Sequence, residues 1–248
     1  MRASVTVVAS TAALAEEAAQ ALAGAAEEAV RRTGRFTLAL SGGGTPERLY
    51  ARLASPPFRS RIDWAWVHVF WGDERCVPPD HPDSNYRLAY ESLLSKVAVP
   101  PERIYRMRGE DPDPERAAES YGRELRRVFS LKPGERPRFD LILLGLGADG
   151  HTASLFPGSP ALNETTRLAV AVHAGPVKAY RLTLTLPVLN AAARVIFLVS
   201  GEEKAEALRA ALKGGASPSC PASLVRPEHG TTWLVDRAAA ASLGDTPG

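Results

Sequence analysis

The residues best suited to chemistry follow an apolar stretch near the middle of the chain. Residues 141–144 are apolar without interruption, which is typical of a strand buried at the centre of a parallel sheet. A glycine-rich loop with Gly147, Asp149 and His151 comes directly after it. Ligands of open α/β sheets bind outside the carboxyl ends of the strands, and this sequence places an imidazole there. His151 is therefore a candidate general base, and Asp149 is placed to orient it.

The same loop formally matches the G-x-G-x-x-G pattern of dinucleotide-binding proteins. In those proteins the pattern opens a crossover helix, whereas Pro157 and Pro160 would end any helix here after about two turns. We therefore interpret the glycines as shaping a catalytic loop. A short helix beginning at Thr152 would place His151 at the positive end of its dipole, which would keep the imidazole neutral, as a base must be.

A second loop with binding character follows the predicted strand at residues 36–40. It consists of five small residues, Ser41, Gly42, Gly43, Gly44 and Thr45. Thr45 suits the N-cap of a helix and Pro46 its first position, so a helix is predicted to begin here. A glycine backbone can bend closely around a ligand, and free N–H groups at a helix start suit a phosphate. A tight turn without a ligand is the alternative, and the GK[ST] ending of a Walker loop is missing.

The predicted strand at residues 64–71 also leads into a charged loop. This loop is rich in proline and carries Asp73 and Arg75 near its start. The forked guanidinium of Arg75 can donate to phosphate oxygens. Pairing of Arg75 with an aspartate of the same surface loop is the alternative.

A lysine follows the predicted strand at residues 195–199. Ser200 and Glu203 have the spacing of a capping box, which places Lys204 in the first turn of a helix. The helix dipole opposes a cation at that position, and an anionic ligand would offset the cost. A solvated lysine paired with a nearby glutamate is the alternative.

Strand and helix patterns alternate along the whole chain. Strands are predicted at 5–9, 36–40, 64–71, 141–144, 168–172, 181–186, 195–199 and 232–235, with a short edge strand at 104–107. Helices are predicted at 12–32, from 46 onward, and at 85–97, 114–129 and 202–212. This alternation indicates an α/β fold, with a doubly wound, mostly parallel sheet and helices on both faces. We interpret the segment 111–116 as a loop, so residues 1–248 are predicted to form a single domain.

Composition excludes several classes of protein. A formal net charge of +2 is too small to indicate nucleic-acid binding, and no apolar run approaches the roughly 20 residues that span a bilayer. The N-terminus lacks a secretory signal, and two widely separated cysteines favour a reducing compartment without a metal cluster. We therefore expect a cytoplasmic protein that needs no metal, no membrane and no obligate protein partner.

Five segments resemble, in order, the 6-phosphogluconolactonase family. They are SGGGTP, GDERCVPPDHPDSNY, GLGADGHTASLFPGS, RLTLTLPVLN and SGEEK, spanning residues 41–204. The resemblance implies a Rossmann-like fold shared with the glucosamine-6-phosphate deaminases. It also implies cofactor-free hydrolysis of 6-phospho-D-glucono-1,5-lactone in the oxidative pentose phosphate pathway, with His151 activating water beside Asp149. The substrate-binding residues that it implies are Ser41, Gly42, Gly43, Gly44, Thr45, Asp73, Arg75, Asn85, Gly147, Arg181 and Lys204.

Two other functions fit parts of the same pattern. The deaminases share the phosphate loop and the Asp-Gly-His sequence, but they resemble H-I-A-F-N-E-P, with a glutamate five residues after the histidine. Here Phe156 occupies that position, and Arg75 stands where the deaminases usually carry tyrosine. A sugar-phosphate-binding regulator without turnover is the other alternative, although such proteins often lose the base that this chain keeps as His151.

Overall fold

The computed structural model describes residues 3–174 and 180–244. The strands are β1 (Ala3–Val8), β2 (Phe36–Leu40), β3 (Val67–Trp71), β4 (Asp73–Arg75), β5 (Leu141–Leu144), β6 (Ala169–His173), β7 (Tyr180–Leu184), β8 (Val195–Val199) and β9 (Thr231–Asp236). The α-helices are α1 (Thr11–Thr33), α2 (Gly44–Leu53), α3 (Phe58–Arg61), α4 (Asn85–Ser92), α5 (Pro114–Phe129), α6 (Leu186–Asn190) and α7 (Ala205–Lys213). The predicted single domain over 1–248 also includes residues 1–2, 175–179 and 245–248, which lie outside the described residues. None of the helices within the described ranges is both apolar and long enough to span a bilayer.

A six-stranded parallel sheet forms the centre of the molecule, in the order β1-β9-β8-β5-β2-β3. From β2 the chain moves outward to β3, whereas from β5 it moves through β8 to β9 in the opposite direction. The neighbouring strands β2 and β5 therefore flank the topological switch point, where open α/β sheets bind their ligands. The doubly wound, mostly parallel sheet predicted from the sequence is confirmed.

A separate three-stranded antiparallel sheet, in the order β4-β7-β6, was not predicted. Its strands β6 and β7 pack against α5 on one face of the large sheet. The pairing of β4 with β7 places Asp73 opposite Thr183 and Arg75 opposite Arg181. This small sheet therefore brings two arginines that are distant in sequence side by side.

Strand side chains alternate between two hydrophobic cores, one on each face of the large sheet. In β5, Leu141 and Leu143 belong to the core formed with α1, α2, α3 and α4. Ile142 and Leu144 belong to the core formed with α5, α7 and the small sheet. All four side chains are fully buried, and burial of each contributes about 1.5–3 kcal/mol. The central strand is thus held on both sides, which fixes the start of the loop that follows it.

Several local predictions are wrong. The helix α2 begins at Gly44 with Gly43 as its N-cap, so Thr45 lies inside the first turn. Gly43 has a φ of 103°, a conformation that favours glycine over threonine. The helix α4 ends at Ser92, before a separate 3₁₀ turn, and the segment 104–107 forms only one bridge to β3 instead of an edge strand.

Candidate active site

Loops that follow β3, β2, β5 and β8 enclose a cleft of about 280 Å³ at the carboxyl edge of the large sheet. The predicted residues that line it are Ser41, Gly42, Gly43, Asp73, Arg75, Asn85, Gly147, His151, Arg181 and Lys204. The other three predicted residues, Gly44, Thr45 and Asp149, lie beside the cleft in sequence without lining it. The structure therefore brings together residues from five separate segments of the chain.

The glycine-rich loop at residues 41–45 closely contacts the start of α4. A Cβ atom on Gly42 would lie 1.8 Å from Asn85 Oδ1, because the side-chain amide of Asn85 occupies the space that a larger residue would need. No side chain caps the amino terminus of α2 among the described residues. The first N–H groups of this helix are therefore available to an anion, as its dipole also favours.

Three cations, Arg75, Arg181 and Lys204, line the cleft. Arg75 and Arg181 are register partners on neighbouring strands, and neither forms an ion pair within the described part of the chain. Burial, and next the charge of Arg75, lower the pKa of Arg181. Lys204 is three-quarters buried, and its nearest carboxylate oxygen, on Glu203, is 4.0 Å away. Cations without close ion-pair partners in the described residues create a positive site that favours an anionic ligand.

Several buried polar atoms in the cleft lack hydrogen-bond partners within residues 3–174 and 180–244. These atoms are Ser41 Oγ, Arg75 Nε and Asn85 Oδ1, and a further one, Trp71 Nε1, lies at the end of β3. Buried polar side chains are usually satisfied in native proteins, so such exceptions require an explanation. A polar ligand bound in the cleft would supply the missing partners.

The base loop, residues 147–151, holds an imidazole–carboxylate pair. His151 Nδ1 lies 2.5 Å from Asp149 Oδ1, and the same oxygen accepts a 3.1 Å hydrogen bond from the His151 backbone N–H. Partial burial raises the pKa of Asp149, but these hydrogen bonds and the imidazole charge together lower it below its ordinary value. Asp149 is thus ionised and accepts from Nδ1–H, which leaves Nε2 of His151 as the nitrogen that can take a proton.

Backbone hydrogen bonds fold the base loop back on itself. Gly147 N–H donates to the His151 carbonyl at 2.8 Å, and Gly150 N–H donates to the Gly147 carbonyl at 2.9 Å. The predicted helix at Thr152 is absent from the described structure. Instead Ala153 adopts a φ of 47°, a left-handed conformation that costs roughly 1–3 kcal/mol in a non-glycine residue and cannot continue a helix. His151 is therefore oriented by Asp149 and the turn, without a following helix dipole.

Phe156 lies between the base and one of the cations. Its ring centroid is 4.8 Å from that of His151, and the guanidinium carbon of Arg181 lies 5.5 Å from the same centroid. The ring packs against the imidazole and supports Arg181 by a cation–π contact. The Phe156 ring cannot transfer a proton. The carboxylate that contacts His151 is that of Asp149.

Sequence reasoning missed Glu74, which fixes the position of Asn85. Glu74 is only 3% exposed and accepts hydrogen bonds from the backbone N–H groups of Asn85 and Tyr86 and from Ser84 Oγ. Burial raises the pKa of Glu74, and backbone N–H donors from Asn85, Tyr86 and Arg75 partly offset the effect. A carboxylate at the amino terminus of α4 also matches the helix dipole. The available signal was Ser84, a common N-cap residue, because it marks the start of a helix whose first N–H groups need acceptors.

In this doubly wound fold the switch-point cleft is lined by cations and by a histidine that a carboxylate orients, which is the arrangement of an enzyme for small anionic substrates. The family model for glucosamine-6-phosphate isomerases/6-phosphogluconolactonase matches residues 9–234. The chain belongs to this family.

Similar proteins carry consistent names. The chain is 44% identical over 217 residues to a 6-phosphogluconolactonase of Synechocystis sp., a match covering 87% of this chain and 88% of that protein. It is 39% identical over 237 residues to a 6-phosphogluconolactonase of Streptomyces coelicolor, covering 93% and 90% of the two chains. The solved structure of 6-phosphogluconolactonase from Trypanosoma brucei superposes with a TM-score of 0.88 at 31% identity, covering 98% of this chain and 99% of that one.

A monomeric glucosamine-6-phosphate deaminase also shares the fold. Its structure superposes with a TM-score of 0.80 at 24% identity, covering 96% of this chain and 99% of that one. This likeness confirms the α/β architecture expected for the family.

Proposed function

We propose that this protein hydrolyses 6-phospho-D-glucono-1,5-lactone to 6-phospho-D-gluconate, a step of the oxidative pentose phosphate pathway. The observation that carries the proposal is that one cleft is lined by His151, which Asp149 orients, and by three cations without close carboxylate partners among the described residues. His151 with Asp149 suits activation of water, and the three cations suit binding of a phosphate. The names of the relatives at 39–44% identity support the same activity.

The phosphate is proposed to bind at the cationic end of the cleft. Backbone N–H groups at the start of α2 would donate to its oxygens together with Arg75 and Lys204. The unpartnered Nε of Arg75 is an additional donor there. Arg181, beside Arg75 in the small sheet, adds positive charge on the same side. Binding of the phosphate would therefore remove the repulsion between these neighbouring cations.

His151 is proposed to act as the general base. Its Nε2 takes a proton from water as the water oxygen attacks the lactone C1 carbonyl, and the ionised Asp149 stabilises the imidazolium that forms. The imidazolium then returns the proton to the ring oxygen as the C1–O bond breaks. A covalent intermediate is unnecessary, because the lactone is already reactive. A positioned base of this kind typically contributes about 10²–10⁴-fold.

Phe156 supports the lactonase over the deaminase. The deaminases resemble a sequence with glutamate at this position, where a carboxylate can tune the histidine for ring opening. In this chain an apolar ring packs against the His151 imidazole instead. We therefore expect no turnover of glucosamine 6-phosphate.

A hydrolysis assay with freshly generated 6-phosphogluconolactone tests the proposal. We expect acid release well above the spontaneous rate, which is measured in parallel without protein and subtracted. Glucosamine 6-phosphate serves as the second substrate, and release of ammonia from it would favour the deaminase. Binding of 6-phosphogluconate without any turnover of the lactone would instead favour a regulator. The cytoplasmic location and the lack of an obligate protein partner stay predictions.

A further inference from the structure

We propose that Ser154 is a positioning residue, which holds the Asp73 carboxylate so that it accepts hydrogen bonds from the hydroxyl groups of the substrate. This inference rests on the proposed lactonase function. Ser154 and Asp73 would recognise the hydroxyl groups of the sugar ring, whereas the cations would bind the phosphate.

Asp73 is an unusual group in a cationic cleft. It lines the cleft and is only 6% exposed, yet it forms no ion pair within the described part of the chain. Ser154 Oγ donates to Asp73 Oδ2 at 2.7 Å, whereas the amide of Asn85 approaches Oδ1 only at 3.4 Å. The short bond to Ser154 therefore holds one carboxylate oxygen, and the other oxygen can accept from a ligand.

Burial and a hydrogen bond to Thr183 fix the position of Ser154. Its side chain is fully buried, and its backbone N–H donates to Thr183 Oγ1 at 3.2 Å. Thr183 is the register partner of Asp73 and donates its own hydroxyl proton to the Leu184 carbonyl. The left-handed turn at Ala153 directs the chain inward at this point. Ser154 therefore connects the segment that follows the base to the strands that carry Arg75 and Arg181.

The orientation of Asp73 matters because its neighbours are cationic. The negative charge of Asp73 acts on Arg181, although the two groups do not form a close ion pair. Without the Ser154 hydroxyl, the carboxylate could rotate toward an arginine and would no longer present an oxygen to the sugar hydroxyls. Hydroxyl groups are common to phosphorylated and unphosphorylated lactones. Loss of Ser154 should therefore impair both substrates, unlike loss of a phosphate-binding cation.

The test compares Ser154→Ala with wild type on 6-phosphogluconolactone and on glucono-1,5-lactone. A hydrogen bond to a charged group corresponds to about a tenfold to hundredfold change, so we expect kcat/KM to fall by that factor on both substrates. Ser154→Cys, whose side chain has the same shape and is slightly larger but donates weakly, should show the same loss. Ser159→Ala is the matched control, because Ser159 caps the nearby turn 160–163 and does not line the cleft. Its kcat/KM should equal that of wild type.

A double-mutant cycle distinguishes positioning from a merely structural role. If Ser154 acts through Asp73, adding Ser154→Ala to Asp73→Ala should change kcat/KM by less than about twofold. Independent losses that multiply in the double variant would overturn the proposal, as would a loss confined to the phosphorylated lactone. Full activity of Ser154→Cys would also overturn it, because packing volume would then be sufficient. An inactive wild type would refute the lactonase function itself, whereas an active wild type with unimpaired Ser154 variants would refute only this inference.

Discussion

The base loop and the cationic end of the cleft are built in opposite ways. The base loop, residues 147–151, satisfies its own hydrogen bonds, and its histidine and aspartate are two residues apart in sequence. The cationic end assembles Arg75, Arg181 and Lys204 from three distant segments and leaves them without close counter-ions in the described structure. A proton-transfer pair must be oriented before substrate arrives, whereas an anion site gains affinity from groups that only the ligand satisfies. In the proposed mechanism the base loop determines kcat, and the cationic end of the cleft determines affinity for the phosphorylated substrate.

Replacing the base should give the largest effect and should act on rate alone. We expect His151→Ala to lower kcat by about 10²–10⁴-fold, because the attacking water loses its proton acceptor, and to leave KM nearly unchanged. Steady-state kinetics after subtraction of spontaneous hydrolysis measures both constants. His229→Ala, which changes an exposed histidine outside the active-site cleft and near the amino end of β9, should behave as wild type. Near-normal kcat in His151→Ala would require a carboxylate base, with Asp73 the next to be tested.

Removing a cation should affect binding of the phosphorylated substrate. Loss of a charged hydrogen bond costs about 1.5–3 kcal/mol, so Arg75→Ala and Lys204→Ala should each raise KM roughly tenfold or more, with little change for glucono-1,5-lactone. Arg87→Ala is the matched control, because Arg87 pairs with Glu91 on the surface of α4. Equal losses on both lactones would contradict the assignment of these residues to the phosphate.

The pH profile should report only the base loop. A general base must be unprotonated to accept a proton, so kcat/KM should fall when the assay is made more acidic from about pH 8 to pH 5. Asp149, whose pKa is below its ordinary value, stays ionised throughout this range and adds no second step. The slope should therefore approach one power of ten per pH unit. A steeper acid limb in measurements of kcat/KM would show that a second group must also be ionised.

Removal of metal ions should give the smallest effect. The proposed mechanism uses no Lewis acid, because the lactone carbonyl is reactive and His151 activates the water. Activity should therefore be unchanged after exhaustive dialysis against a chelator. A loss that one divalent cation restores would mean that Asp73, Asp149 or His151 serves as a metal ligand.

Local sequence patterns determined the strands of the large parallel sheet, the loops that follow β2 and β5, and the His151–Asp149 pair. The apolar run at 141–144 indicates a buried strand by itself, and two residues so close in sequence stay together in almost any turn. Tertiary structure alone decided the contacts between distant segments. The pairing of Arg75 with Arg181 depends on the register of β4 against β7, and the bond from Ser154 to Asp73 depends on the turn at Ala153. Strand register and long-range packing result from the simultaneous burial of many side chains, so no short stretch of sequence specifies them.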